Sequence, residues 1–220
     1  MKSLKIVAAL FVLAAFGSQA KADIIAYDVT SGLVGNQSEF GGTLGMDFDV
    51  ASGGIKVTQL GIFDSGGDGL SAAHTVSIYN RDTQALVLAT AIPSGTVAPL
   101  VNGSRFVAVP AFTLVSGHYT VATFGFSAAD PNYNANRNGN TSPSVLNTGG
   151  GLISFTGTGR FGPAGTYPGT ADAGEVLVNP YGAATFQYTA VPEPGSIVLL
   201  GLGSAGLVVL GLRRRKTSAA

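Results

Sequence analysis

Two aspartates in a glycine-rich run, Asp64-Ser65-Gly66-Gly67-Asp68-Gly69, come nearest in type and spacing to a metal site. Calcium is a hard cation that takes six to eight oxygen ligands. Asp64 and Asp68, with amide or backbone oxygens, could supply several of them. The EF-hand spacing fails, because Thr75 stands at the twelfth position where a bidentate glutamate is needed. The competing expectation, and the favoured one, is a tight turn whose Asp side chains accept hydrogen bonds from backbone amides. No cofactor is expected, calcium at Asp64 and Asp68 being the one alternative left open. The two histidines, His74 and His118, cannot supply a three-histidine zinc site. His74 is in phase with Val76 and Ile78, which predicts a buried, hydrogen-bonded imidazole. His118 opens a strand beside Tyr119 and belongs to no recognisable motif. No G-x-S-x-G elbow occurs in the body of the chain. Its only glutamates, Glu39 and Glu175, are the candidates for a glycosidase carboxylate pair, and no spacing brings them together. No catalytic residue is assigned, and the expectation is a protein that is not an enzyme.

Short strands separated by Gly, Asn, Asp and Pro must position these residues. Residues 43–50 alternate, with Leu44, Met46, Phe48 and Val50 on one face and Asp47 and Asp49 on the other, as in a half-buried strand. Residues 55–63 follow, and a change of phase near Gln59-Leu60 predicts a bulge. Residues 74–79 and 85–92 flank the turn Asn80-Arg81-Asp82-Thr83 and predict a hairpin. Further strands are predicted at 105–109, 117–126, 152–155, 175–178 and 183–188. No amphipathic helix is legible between Asp23 and Ala190. The fold expected for residues 23–190 is all-β, an antiparallel β-sandwich of jelly-roll-like form. Asparagine at 132, 134, 136, 138 and 140 predicts a long surface loop over 130–151.

Composition narrows the partners. The 220 residues include 32 glycines and ten prolines but no cysteine or tryptophan. Disulfides, thiol catalysis and thiolate metal sites are thereby excluded. Between Asp23 and Ala190 five basic residues face eleven acidic ones, a net charge of −6. A mildly acidic, lysine-poor body argues against nucleic acid as a partner.

The two ends carry a different signal. Lys2 and Lys5 precede an apolar stretch at 6–16, and Ala20-Lys21-Ala22 offers the small-x-small pattern read by signal peptidase. Eleven apolar residues are too few to span a bilayer, so residues 1–22 are expected to be a signal peptide, removed after Ala22 or, less favoured, after Ala20. At the other end, Val191-Pro192-Glu193-Pro194 leads into an uncharged apolar run at about 195–212, then Arg213-Arg214-Arg215-Lys216. Eighteen helical residues reach roughly 27 Å, just short of a hydrocarbon core of about 30 Å. A transmembrane helix is expected, with the basic cluster on the cytoplasmic side and the body outside. Gly201-Leu202-Gly203-Ser204-Ala205-Gly206 fits G-x-G-x-x-G, but it follows no strand. Inside an apolar run such residues belong to the membrane helix.

This order of features resembles the PEP-CTERM class of exported proteins of Gram-negative bacteria. The resemblance covers residues 191–216 and implies several expectations. Val191, Pro192, Glu193, Pro194, Arg213, Arg214 and Arg215 would serve sorting and processing by a membrane-embedded exosortase. The precursor would be anchored in the inner membrane, and the product would reach the cell surface or medium, in association with exopolysaccharide and biofilm. A second resemblance joins Leu60-Gly61-Ile62-Phe63-Asp64-Ser65-Gly66-Gly67-Asp68-Gly69-Leu70, the segment 73–79, the strand and turn at 86–95, and 112–121. Over about 43–126 the chain is similar to a β-sandwich domain of unknown function common in such exported proteins. That similarity implies a fold and an export context, without an activity. The alternative expectation is a carbohydrate-binding module or a polysaccharide hydrolase.

Overall fold

Alternation of apolar and polar residues builds most of what the computed structural model contains. It describes residues 23–29, 32–38, 40–134, 145–172 and 181–191. In chain order the strands begin with β1 (Ile24–Ile25), β2 (Tyr27–Asp28), β3 (Thr43–Val50) and β4 (Ile55–Phe63). After a 3₁₀ turn at Ser65–Gly67 come β5 (His74–Asn80), β6 (Leu86–Ile92), β7 (Leu100–Val101), β8 (Ser104–Leu114) and β9 (Gly117–Thr123). The chain closes with β10 (Tyr133–Asn134), β11 (Val145–Leu146), β12 (Ile153–Gly162), β13 (Thr170–Ala171), β14 (Tyr181–Gly182) and β15 (Ala184–Ala190). All pairings between them are antiparallel. The predicted signal peptide (1–22), the strand at 175–178 and the helix at 195–212 lie outside the described residues. Among the described residues, no helix is long and apolar enough to cross a membrane.

Two sheets share one core. The first has the order β1-β15-β4-β8-β7 and the second β13-β12-β3-β9-β5-β6. Their inner faces meet where Phe48 of β3 packs on Phe186 of β15, ring centroids 4.8 Å apart, with Tyr119 and Tyr188 beside them. Leu44, Met46, Phe48 and Val50 all point into this core, as their alternation predicts. The hairpin β5–β6 forms around the predicted turn, where Asn80 Oδ1 accepts hydrogen bonds from the Asp82 and Thr83 amides. The bulge expected near Gln59 falls on Thr58: Val57 faces Phe112 and Gln59 faces Ala108. Pro110, which has no N–H to donate, sits in that interruption, so β8 continues past it to Leu114.

The asparagine-rich segment departs from a plain surface loop. Tyr133–Asn134 pairs with Tyr181–Gly182, and Val145–Leu146 pairs with Tyr27–Asp28. Asn132 and Asn134 are buried. Both donate through Nδ2 to Gln37 Oε1, at 3.2 and 3.3 Å, and the Asn134 amide donates to Asn36 Oδ1 at 2.8 Å. Gln37 and Asn36 supply partners for most of these buried amide groups, Asn132 Oδ1 alone among them having none, and local polarity does not reveal such pairing.

Candidate functional site

Strand register sorts the connections into two ends. Val50 faces Gly117 and Ile153, and Ile55 faces Ala190 and Leu114. One end therefore carries the turns at 51–54, 81–85 and 115–116, the loop at 147–152, and the exit of the chain at Val191. The other carries the loops at 64–73, 93–99 and 124–132, and the side-chain clusters of interest lie there.

The first cluster is built on Asp64, which follows β4 directly. Its Oδ2 accepts from Arg105 Nε at 2.6 Å and from the Gly69 amide at 3.1 Å. Arg105, near the start of β8, also donates to the carbonyls of Ala98 (2.8 Å) and Gly67 (3.1 Å). Both partners are buried. Burial pushes the Asp64 carboxyl above its ordinary value, and the Arg105 guanidinium opposes that push. Gly69 has φ +116°, and a Cβ there would meet the Gly95 backbone at 3.1 Å, so the close turn requires glycine. Asp68, the other candidate calcium ligand, is exposed. An ion at Asp64 would have to displace the guanidinium. Among the described residues, no group of three or more His, Asp or Glu is arranged to hold a metal.

The second cluster joins Ser71, His74 and Asp130. Asp130 is buried and accepts from the Ser71 amide (2.9 Å), the Ser71 hydroxyl and the Ala72 amide (3.3 Å). His74 Nδ1 donates to the Phe124 carbonyl at 2.9 Å, and its Nε2 faces Asp130 Oδ2 at 3.1 Å. The imidazole is buried and hydrogen-bonded, as its phase in the strand predicts. The three residue types are those of a nucleophilic triad, yet the serine hydroxyl is spent on the carboxylate and both imidazole nitrogens are engaged. A triad needs the base on the nucleophile. The arrangement latches the 64–73 loop to the 124–132 loop. Burial alone would raise the Asp130 carboxyl, but the Ser71, His74 and Ala72 hydrogen bonds outweigh it and hold it below the ordinary range. A folded value below the unfolded one gives stability that is full above roughly pH 4 and lost as pH falls through the folded value. Asp130→Asn is expected to cost about 2–3 kcal/mol at pH 7. In urea unfolding the variant lacks the acid-side decline that the wild type shows below that pH.

A third cluster covers the outer face of the six-stranded sheet. Asp47 was expected to face solvent, but it is only 1% exposed. Arg160 Nε donates to both its oxygens (2.9 and 2.7 Å) and Thr120 Oγ1 to Oδ1 (2.6 Å). Arg81 Nη1 lies 3.4 Å from Asp47, while its Nη2 donates to Asp49 at 2.7 Å. Arg160 also stacks over Tyr167, 5.7 Å from the ring centroid, and Tyr79 meets Tyr167 edge-on. His118 forms a surface pair with Asp82 at 3.1 Å. Sequence reasoning missed Arg105, Asp130, Arg81 and Arg160 as partners. The available signal was the arginine in Ser104-Arg105-Phe106-Val107, a charge amid strand residues in a body with only five basic side chains.

The predicted processing residues Ala20, Ala22, Pro192, Glu193, Pro194, Arg213, Arg214 and Arg215 lie outside the described residues, as do Glu39 and Glu175. Val191 is described and follows β15 at once. A family model for the PEP-CTERM protein-sorting motif matches residues 190–216, beginning on the last residue of β15. No curated protein and no solved structure matches the chain.

Proposed function

From the PEP-CTERM sorting motif at 190–216, the mark of an exported precursor processed by exosortase, we propose the following course for this chain. A leader at 1–22 is removed by signal peptidase, and residues 23–190 pass to the outer side of the inner membrane of a Gram-negative cell. The apolar run at 195–212 holds the precursor in the bilayer until exosortase acts on the Pro192-Glu193-Pro194 segment. The released or surface-bound sandwich is a non-enzymatic component of the exopolysaccharide and biofilm layer. The observation that carries this reading is the placement of the motif, which starts where the last core strand stops, so that the sorting device can be cut away without breaching the fold.

The test is to alter the motif in the native host. With Pro192 and Glu193 both replaced by alanine, full-length chain is expected to accumulate in the membrane fraction. The unaltered chain is expected to be shortened and found outside. Normal maturation of the variant, or a cytosolic body in either strain, overturns the proposal. A second reading, a carbohydrate-binding module or a hydrolase of the same polymer, draws on the outer face where Arg160 lies over Tyr167 beside Arg81 and Asp49. Retention on the host polysaccharide, with and without turnover, separates the two.

A further inference from the structure

A sheet edge carries a row of unpaired backbone N–H and C=O groups, a template for another chain that folded proteins usually blunt. The two large sheets have four edges, and three of them end in strands of two residues: β1, β7 and β13. β8 runs on past β7, but Pro110 and the register break between Ala108 and Phe112 interrupt that free length. The fourth edge is β6, seven residues long, with neither a charge nor a proline. Among the described residues, no strand pairs with its outer side.

Backbone direction on β6 follows from its neighbours. The Asn80 amide donates to the Ala85 carbonyl, and the Arg81 amide to the His118 carbonyl. Even-numbered residues of β5 therefore bond to β6 and odd-numbered ones to β9. The even residues face Leu88, Thr90 and Ile92. Ala89 and Ala91 thus turn their N–H and C=O groups away from β5, toward solvent. Their methyl groups lie exposed on the outer face of the sheet, whereas Leu88, Thr90 and Ile92 share the core side with Ile78, Val76 and His74.

This edge is complementary to itself. The register break at Ile78/Tyr79 leaves Val87 without a partner on β5, and Pro93 has no N–H, so the regular edge is Leu88–Ile92. Its middle residue is Thr90. A two-fold axis at Thr90 sets Ala89 of one copy opposite Ala91 of the other, each pair exchanging two backbone hydrogen bonds. Leu88 then meets Ile92 on the core side, and Thr90 meets Thr90, a favourable cross-strand pair. Charge agrees with a second copy as the occupant. The body carries −6, so copies repel one another at most faces, yet no charged residue occurs between Asp82 and Arg105. No like charges are therefore opposed across the axis.

We propose that two copies of this chain pair antiparallel through β6, centred on Thr90, joining their six-stranded sheets into one. Because the chain has no cysteine, a single cysteine tests the register. Across such a non-hydrogen-bonded pair the Cα atoms stand about 4.5 Å apart, within the range of about 4.4–6.8 Å that a disulfide accepts. The full-length chain with Thr90→Cys, purified in mild detergent and gently oxidised, is expected to run mostly as a disulfide dimer without reductant. Val97→Cys, at an 81% exposed position, is the collision control and is expected to stay mostly monomeric. Adding Ala89→Lys and Ala91→Lys to Thr90→Cys opposes like charges in both pairs and is expected to lower the cross-linked fraction to the Val97→Cys level. Ala89→Lys with Ala91→Glu opposes unlike charges and is expected to restore it. Cross-linking at Thr90→Cys no greater than at Val97→Cys, insensitivity to the lysine pair, or failure of the lysine–glutamate pair to restore it each overturns the proposal. None of these outcomes bears on export or on processing of the tail.

Discussion

Arg105→Leu is expected to destabilise the sandwich by about 3–5 kcal/mol, because it strands a buried carboxylate. Arg105 Nε lies 2.6 Å from Asp64, and the rest of the guanidinium is shared between the Ala98 and Gly67 carbonyls. One side chain thus closes three segments: the end of β4, the 3₁₀ turn and the approach to β7. Leucine fills part of the volume and satisfies none of these acceptors. Replacing both partners with apolar residues of similar size is expected to cost less than the single change, since removing both charges also removes their desolvation penalty. Acid supplies a second signature. Burial raises the folded carboxyl of Asp64 above its unfolded value even with the arginine present. In the variant that displacement grows, so its stability is greatest below the unfolded value and falls as pH rises through the folded one. Chemical denaturation of wild type, single and double variants at pH 4 and pH 7 checks each part.

Phe186→Ala has a comparable effect by another route, a loss of about 3–5 kcal/mol from an emptied core. The ring is fully buried, 4.8 Å from Phe48 across the gap between sheets and 5.6 Å from Tyr188 along its own strand. Close-packed surroundings relax only partly around a deletion of that size. A lower midpoint of urea unfolding with an unchanged denaturant slope is the expected reading. An unchanged midpoint would mean that the two sheets do not share Phe186 as their contact.

Local pattern carried the strands well. The alternation in 43–50 located β3 to the residue, and the phase change in 55–63 placed the bulge within one position. A period of two reports which face is apolar; it says nothing about what covers the polar face. Asp47 looked solvated because Arg160, 113 residues further on, and Arg81 do not enter any local window. The links from Asp64 to Arg105 and from Ser71 to Asp130 span 41 and 59 residues and join loops whose composition only suggests turns. Strands of two residues, such as Tyr133–Asn134, are too short to show any period. The turn at Asp64 was legible as a turn, but the cation that neutralises its carboxylate was not.

The sheet order has a consequence for how the chain completes itself. β15 lies between β1 and β4, so the first strand meets the rest of its sheet only through the last. Just beyond β1, the Tyr27 amide of β2 also finds its acceptor on β15, at Thr185, 158 residues later. Contacts so distant along a chain form late. The five-stranded layer must stay open, with Ile24 and Val57 both lacking Tyr188, the residue that pairs with each of them, until residues 184–190 have emerged. Those residues run directly into the sorting motif, which begins on Ala190, so assembly of the β layer and arrival of the tail fall at the same moment of the chain's passage.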